Sequence, residues 1–134
     1  IILQTFNPDD PTIRLAAQGN LEKFRAFDEK FRRDHDYPPF GDLAVLRRKH
    51  EDENTLFTRI DKTTKDLKFL AEKSDRDDIE IFSAPALIYK IFGQFRFNII
   101  LKSKNLRPFL ESATTTLRLR ARGCKIDRNP ESLG

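Results

Sequence analysis

The stretch APALIYKIFGQFRFNIILKSK, residues 84–104, decides the fold. From Phe95 onward it alternates strictly: Phe95, Phe97, Ile99 and Leu101 fall on one face, and Arg96, Asn98, Ile100 and Lys102 on the other. A period of two marks a strand with one face in a core. Residues 87–92 are a second β-prone run. Gly93-Gln94 joins the two, and Gly at the first central position predicts a type II′ hairpin turn. The stretch therefore reads as a hairpin whose second strand lies inside a sheet and turns a basic row to its other side.

Working outward, residues 79–82 read as a short strand ended by Pro85. Asp42 to Lys49 (DLAVLRRK) reads as another. Between them Leu56, Phe57, Ile60, Leu67, Leu70 and Ala71 recur at helical spacing. Their helix starts at the acidic run 51–53 and is weakened at Thr63-Thr64. A last helix is capped by Asn105, with Leu106, Phe109, Leu110, Ala113 and Leu117 as its apolar stripe. Residues 117–121 read as its continuation or as the start of a strand, Gly123 as a stop, and 124–128 as a final strand. From residue 42 the order is strand, helix, strand, strand, helix, strand, plus one extra hairpin strand. That is an α+β, ferredoxin-like (split βαβ) pattern. Both helices would cover one sheet face, and the other would carry Arg96, Asn98, Lys102 and, with Ile126 inward, Lys125.

Ahead of this domain, residues 1–6 read as a strand. Residues 12–18 read as a short helix capped by Asp10 and ended by Gly19. A second helix follows Asn20, with Leu21, Phe24, Phe27 and Phe31 on one stripe, and stops before Tyr37-Pro38-Pro39. The stripe is expected to dock on a core, with a partner-binding face as the alternative.

The chain has 134 residues, 38% hydrophobic and 34% charged, with twelve Phe and no Trp. That suits one domain with a modest core and an appended piece. It contains no Met, so we read it as cut from a longer protein. No apolar run reaches membrane-spanning length, and the stretch IILQTFNPDDP has neither the basic start nor the apolar length expected of a secretory signal. One cysteine, Cys124, forms no internal disulfide, which makes a cytoplasmic location the default. Residues 1–85 hold 15 Lys/Arg against 18 Asp/Glu, and residues 86–134 hold 10 against 3. The C-terminal third is thus strongly basic. It suits an anionic partner, nucleic acid first, or else a merely solvated surface.

Arg96, held between two Phe, either grips phosphate or pairs with a carboxylate on a neighbouring strand. Lys102, Lys104 and Arg107 cluster at a strand–helix corner, and Arg118, Arg120, Arg122, Lys125 and Arg128 form a second basic group. Each could contact phosphates. No G-x-x-x-x-G-K-[ST] phosphate loop occurs, so the segment should not hydrolyse ATP. His35 and His50 lack partners for a triad or a metal site, and the acidic runs at 51–53 and 75–78 read as a helix start and a solvated turn.

Several short motifs carry a family resemblance. They are Gln4-Thr5, Asn7-Pro8-Asp9-Asp10-Pro11, Tyr37-Pro38-Pro39-Phe40, Ala84-Pro85-Ala86, Gly93-Gln94-Phe95-Arg96-Phe97, and Ile99-Ile100-Leu101-Lys102-Ser103. In this order they resemble the C-terminal end of the primosomal replication-restart DNA helicases (PriA, primosomal protein N′). The chain departs from that pattern at Phe82-Ser83, at Phe95 and at 126–130. The resemblance implies three parts: 1–19, the end of the second helicase lobe; 20–40, a connecting helix and Pro-Pro linker; and 41–134, a C-terminal DNA- and partner-binding domain. It implies an intact 3′–5′ helicase requiring ATP, Mg and Zn, with no cofactor in this segment. The implied partners are DNA forks, single-stranded DNA, other primosome proteins and the acidic tail of single-stranded DNA-binding protein. Arg107, or Lys104 before it, would meet that tail. The DNA-contacting set expected here is Arg96, Asn98, Lys102, Lys104, Arg118, Arg122 and Lys125. Two alternatives are a stand-alone ferredoxin-like RNA-binding module, which would show open-face aromatics, and an acylphosphatase-like hydrolase using Arg96 and Asn98.

Overall fold

A computed structural model describes residues 2–130. It forms two compact units, the first ending at His35 and the second beginning at Asp36.

The first unit holds α1 (Pro11–Ala17) and α2 (Leu21–Asp34). Asp10 caps α1 by accepting the Thr12 N–H at 2.8 Å, with Pro11 opening the first turn where its missing N–H costs nothing. Asn20 caps α2 through the Lys23 N–H at 3.0 Å. Asp28–Arg32 and Glu29–Arg33 pairs one turn apart, at 2.9 and 2.7 Å, brace its outer face. Two expectations change here. Residues 2–6 form no strand, Phe6 being wholly exposed, and residue 1 lies outside the described residues. The Phe stripe of α2 is not buried: Leu21, Phe27 and Phe31 are all exposed. Periodicity orients an apolar face but does not supply what covers it.

The second unit runs β1 (Asp42–His50), α3 (Glu53–Lys73), β2 (Glu80–Ile91), β3 (Gln94–Ser103), α4 (Arg107–Thr116) and β4 (Lys125–Arg128). The sheet order is β2-β3-β1-β4, with every neighbouring pair antiparallel. This is the ferredoxin-like α+β arrangement. One sheet face packs on both helices. Ala44 and Leu46 of β1 and Ile99 and Leu101 of β3 meet Leu56, Ile60, Leu67 and Ala71 of α3 and Phe109, Leu110 and Ala113 of α4. At about 1.5–3 kcal/mol for each large aliphatic side chain, this cluster dominates the unit's stability.

The extra hairpin strand is absent as a separate element. The runs at 79–82 and 87–92 belong to one twelve-residue strand, β2, whose pairing with β3 shifts between Pro85 and Lys90. Proline donates no ladder hydrogen bond, yet an edge strand with a bulge tolerates it. The hairpin turn is Phe92-Gly93 and not Gly93-Gln94. Both residues have positive φ, 50° and 74°, which makes it type I′ in place of type II′.

Asp52 caps α3 through the Thr55 N–H at 2.8 Å, and the helix runs unbroken through Thr63 and Thr64. Asn105 does not cap α4. Leu106 holds the cap position, and its N–H donates to Asp42 Oδ2 of β1 at 3.1 Å. Residues 117–121 are turns and not a strand, pinned by the fully buried Leu119.

Candidate nucleic-acid interface

Register decides which basic side chains share the face turned away from the helices. Leu46 and Arg48 point with the core, so Leu43, Val45, Arg47 and Lys49 of β1 point away. Lys49 lies opposite Arg96, and Arg47 lies opposite both Asn98 and Lys125. Ile126 packs against the core, and Lys125 therefore stands on the far face. Arg47, Arg48, Lys49, Arg96, Asn98 and Lys125 line a hollow of about 250 Å³. Among its described lining residues none is acidic. On this same face Asp127 of β4 pairs with Arg47 at 2.7 Å.

Arg96 is half-buried, and its Nη1 donates to the Ile88 carbonyl at 3.4 Å. Ile88 lies where β2 leaves its ladder with β3, so the bulge frees the oxygen that Arg96 takes. Among the described residues Arg96 makes no ion pair. Lys49 and Lys125 are exposed, whereas Asn98 is buried. Arg48 is buried from the core side. Its guanidinium donates to Thr63 Oγ at 3.2 Å and to the Arg122 carbonyl. Burial, the largest cause, lowers its pKa, and the nearby Arg59 and Arg122 charges lower it further.

The other expected residues stand elsewhere. Lys102 lies six residues beyond Arg96 along β3, about 20 Å at ~3.3 Å per residue. It sits 3.6 Å from Glu80 and 4.8 Å above the Tyr37 ring. Lys104 is exposed, 3.9 Å from Asp36. These two share a mixed-charge hollow with Asp36, Asp78, Glu80 and Ser103. Arg107 pairs with Glu111 at 3.0 Å on the exposed face of α4. Arg118 is exposed in the turns after α4, and Arg122 reaches back to Asp66 of α3 at 2.7 Å. The expected set is therefore dispersed: Arg96, Asn98 and Lys125 come together, Lys102 and Lys104 mark the far end of β3, and Arg118 and Arg122 lie in the α4–β4 connection. The far face is also partly closed near that end, where Leu43, Val45 and Ile100 form a small buried cluster.

Sequence reasoning missed Arg47 and Lys49. The signal was present, since Leu43, Val45, Arg47 and Lys49 alternate within DLAVLRRK as Arg96 does in its own strand. It missed as well the network at the start of α4. There Arg76 grips Asp78 at 2.9 and 3.1 Å and donates to the Asn105 carbonyl at 2.6 Å, while Ser103 donates to Asp78 at 2.5 Å. The Arg76 hydrogen bonds, then Ser103, hold the Asp78 carboxyl well below the usual carboxylate range. Among the described residues no helix is long and apolar enough to cross a membrane, and no three His, Cys, Asp or Glu side chains gather as metal ligands.

No family model matches the chain. Among solved structures, the de novo designed protein Foldit4 is similar at a TM-score of 0.45 and 9% identity, over 66% of this chain and 92% of that one. Two curated proteins are similar in sequence. The replication restart protein PriA of Bacillus subtilis is 24% identical over 137 residues, 97% of this chain and 17% of that protein. The replication restart protein PriA of Synechocystis sp. is 30% identical over 103 residues, 76% of this chain and 12% of that protein. The chain thus spans less than a fifth of the length of either relative. In sequence, the chain resembles a short segment of the replication restart protein PriA.

Proposed function

We propose that this chain is the C-terminal part of a cytoplasmic replication-restart DNA helicase, and that its second unit holds DNA by the sugar–phosphate backbone. Residues 1–19 would close a helicase lobe, 20–40 would connect, and 41–134 would bind DNA. The observation that carries the reading is the hollow at one end of the sheet, where Arg47, Lys49, Arg96 and Lys125 converge with no acidic lining residue. Guanidinium and ammonium groups on a rigid sheet suit phosphate oxygens, with Arg offering paired N–H donors. The ATP, Mg and Zn expected of the intact parent would be held outside this segment. Lys102 and Lys104 lie in a hollow shared with carboxylates, which suits a secondary role at the DNA. The acidic tail of single-stranded DNA-binding protein would meet Arg107 and Lys104, both exposed at the α4 corner. Other primosome proteins would dock on the intact parent. Against a stand-alone RNA-binding module stand Phe95 and Phe97, which pack toward the core and not on the open face of β3.

The test is fluorescence anisotropy on a forked oligonucleotide with the Lys49→Glu/Arg96→Glu/Lys125→Glu chain. Affinity should fall at least tenfold at low salt. The slope of log affinity against log salt should become less steep by about 2, three lost contacts at ~0.7 each for single strands. Unchanged affinity and slope would remove this face from the interface.

A further inference from the structure

The two-residue turn that joins β2 to β3 uses a side chain that local physics disfavours twice. Phe92 is 100% exposed and sits at φ 50°. A bulky L-residue is uncommon in the left-handed region, and type I′ turns take Asn, Asp or Gly at this place. Water disfavours a bare phenyl ring as well. Neither turn formation nor core packing accounts for this residue. Leu87 and Ile88, 82% and 55% exposed beside the bulge, extend the apolar tip. Residues that break local rules without serving turn or core mark places where a fold meets something else.

What surrounds the tip chooses the occupant. On the face turned away from the helices β3 leaves the tip carrying Arg96, which lies opposite Lys49 of the next strand, β1; the two border the cationic hollow. Arg96 is tied to the bulge through the Ile88 carbonyl, so the apolar tip and the cationic row are mechanically one piece. Phe92 and Arg96 are four residues apart, at most about 13 Å of strand. A ligand that follows both must pair a flat apolar surface with a regularly spaced anion. Unpaired nucleic-acid bases on their phosphate backbone have that combination, and base–aromatic stacking is tolerant of sequence. We propose that Phe92 at the β2–β3 turn stacks on an unpaired base of single-stranded DNA whose phosphates lie along Arg96 and Lys49. The inference rests on the DNA-binding reading above and adds a single-strand preference to it.

The chain contains no tryptophan, so Phe92→Trp installs a single fluorophore at the tip. Its emission should be quenched as a short single-stranded oligonucleotide saturates the chain, with affinity kept or improved. Phe92→Asn, which suits the I′ turn better and cannot stack, should weaken binding roughly five- to a hundredfold. It should leave thermal stability unchanged or raised. Binding by anisotropy without quenching in the Trp chain, or full affinity in the Asn chain, overturns the proposal while leaving backbone binding intact. Loss of affinity in the Asn chain with none in Lys49→Glu/Arg96→Glu would keep the tip and overturn the cationic face. Quenching that follows protein concentration alone would assign the tip to a second copy of the chain and overturn the proposal. No binding by the unaltered chain overturns both readings.

Discussion

Single residues carry the sharpest consequences. Tyr89, in the bulged part of β2, donates its hydroxyl to Glu53 Oε1 at 2.5 Å, and its ring leans on Phe95 and Phe97. The hydrogen bond to Glu53, with burial and the negative charge adding to it, pushes the phenol up to about 12. A group whose folded pKa is raised stabilises the fold below its unfolded value, near 10, and loses that contribution as pH climbs through the folded value. In a Tyr37→Phe background, absorbance at the phenolate band should rise near pH 12 for Tyr89. Adding Glu53→Gln should move that midpoint down toward 10. A midpoint indifferent to Glu53 would mean that the bond does not persist in solution. Pairs of this kind are not legible in sequence: Tyr89 and Glu53 lie 36 positions apart, and only the register of β2 brings them together. The alternation of Phe95 to Lys102 needs no such knowledge and reads directly.

At the scale of elements, what was legible is what depends on local pattern. The cap of α1 at Asp10, the acidic start of α3 and the phase of β3 follow from side chains within a turn or a strand of one another. What was not legible depends on neighbours far along the chain. Pro85 reads as a strand end, but at the edge of the sheet its missing N–H faces no partner, and β2 runs through it. The turn moved back by one residue because strand twist favours two positive φ angles, a demand that overrides the poor suitability of Phe92. Arg48 shows the same dependence. On β1 it reads as one more surface cation, yet it is buried beneath α3 and bonds Thr63 and the Arg122 carbonyl, tying sheet, helix and the α4–β4 connection together. Arg48→Met keeps the apolar stem but removes the donors. It should destabilise the unit by about 1–3 kcal/mol, because a half-buried carbonyl is left unpaired. A urea midpoint unchanged from the parent would show that this clamp contributes nothing.

At the scale of the molecule, the positive C-terminal third was visible in a charge count, and the sheet explains how it becomes a site. Antiparallel pairing folds Arg47, Lys49, Arg96 and Lys125 onto one end of one face, while carboxylates gather at the other end of β3. A charge count cannot make that division, since it depends on register, and this is why Arg47 and Lys49 escaped the sequence reading. The apolar cores lie within the second unit: among the described residues every buried hydrophobic side chain falls between Leu43 and Cys124. None of the residues of α1 or α2 is buried, so the first unit adds caps and surface ion pairs, worth a few tenths of a kcal/mol each. Residues 36–134 expressed alone should therefore unfold cooperatively, within a few degrees of the full chain by circular dichroism, and should keep the full chain's affinity for a forked oligonucleotide. A fragment that is molten, or that melts more than about 10 °C lower, roughly 1–3 kcal/mol for a domain this size, would mean that residues 1–35 stabilise the sheet domain directly. In that case the exposed Phe27 and Phe31 of α2 would be the first side chains to replace.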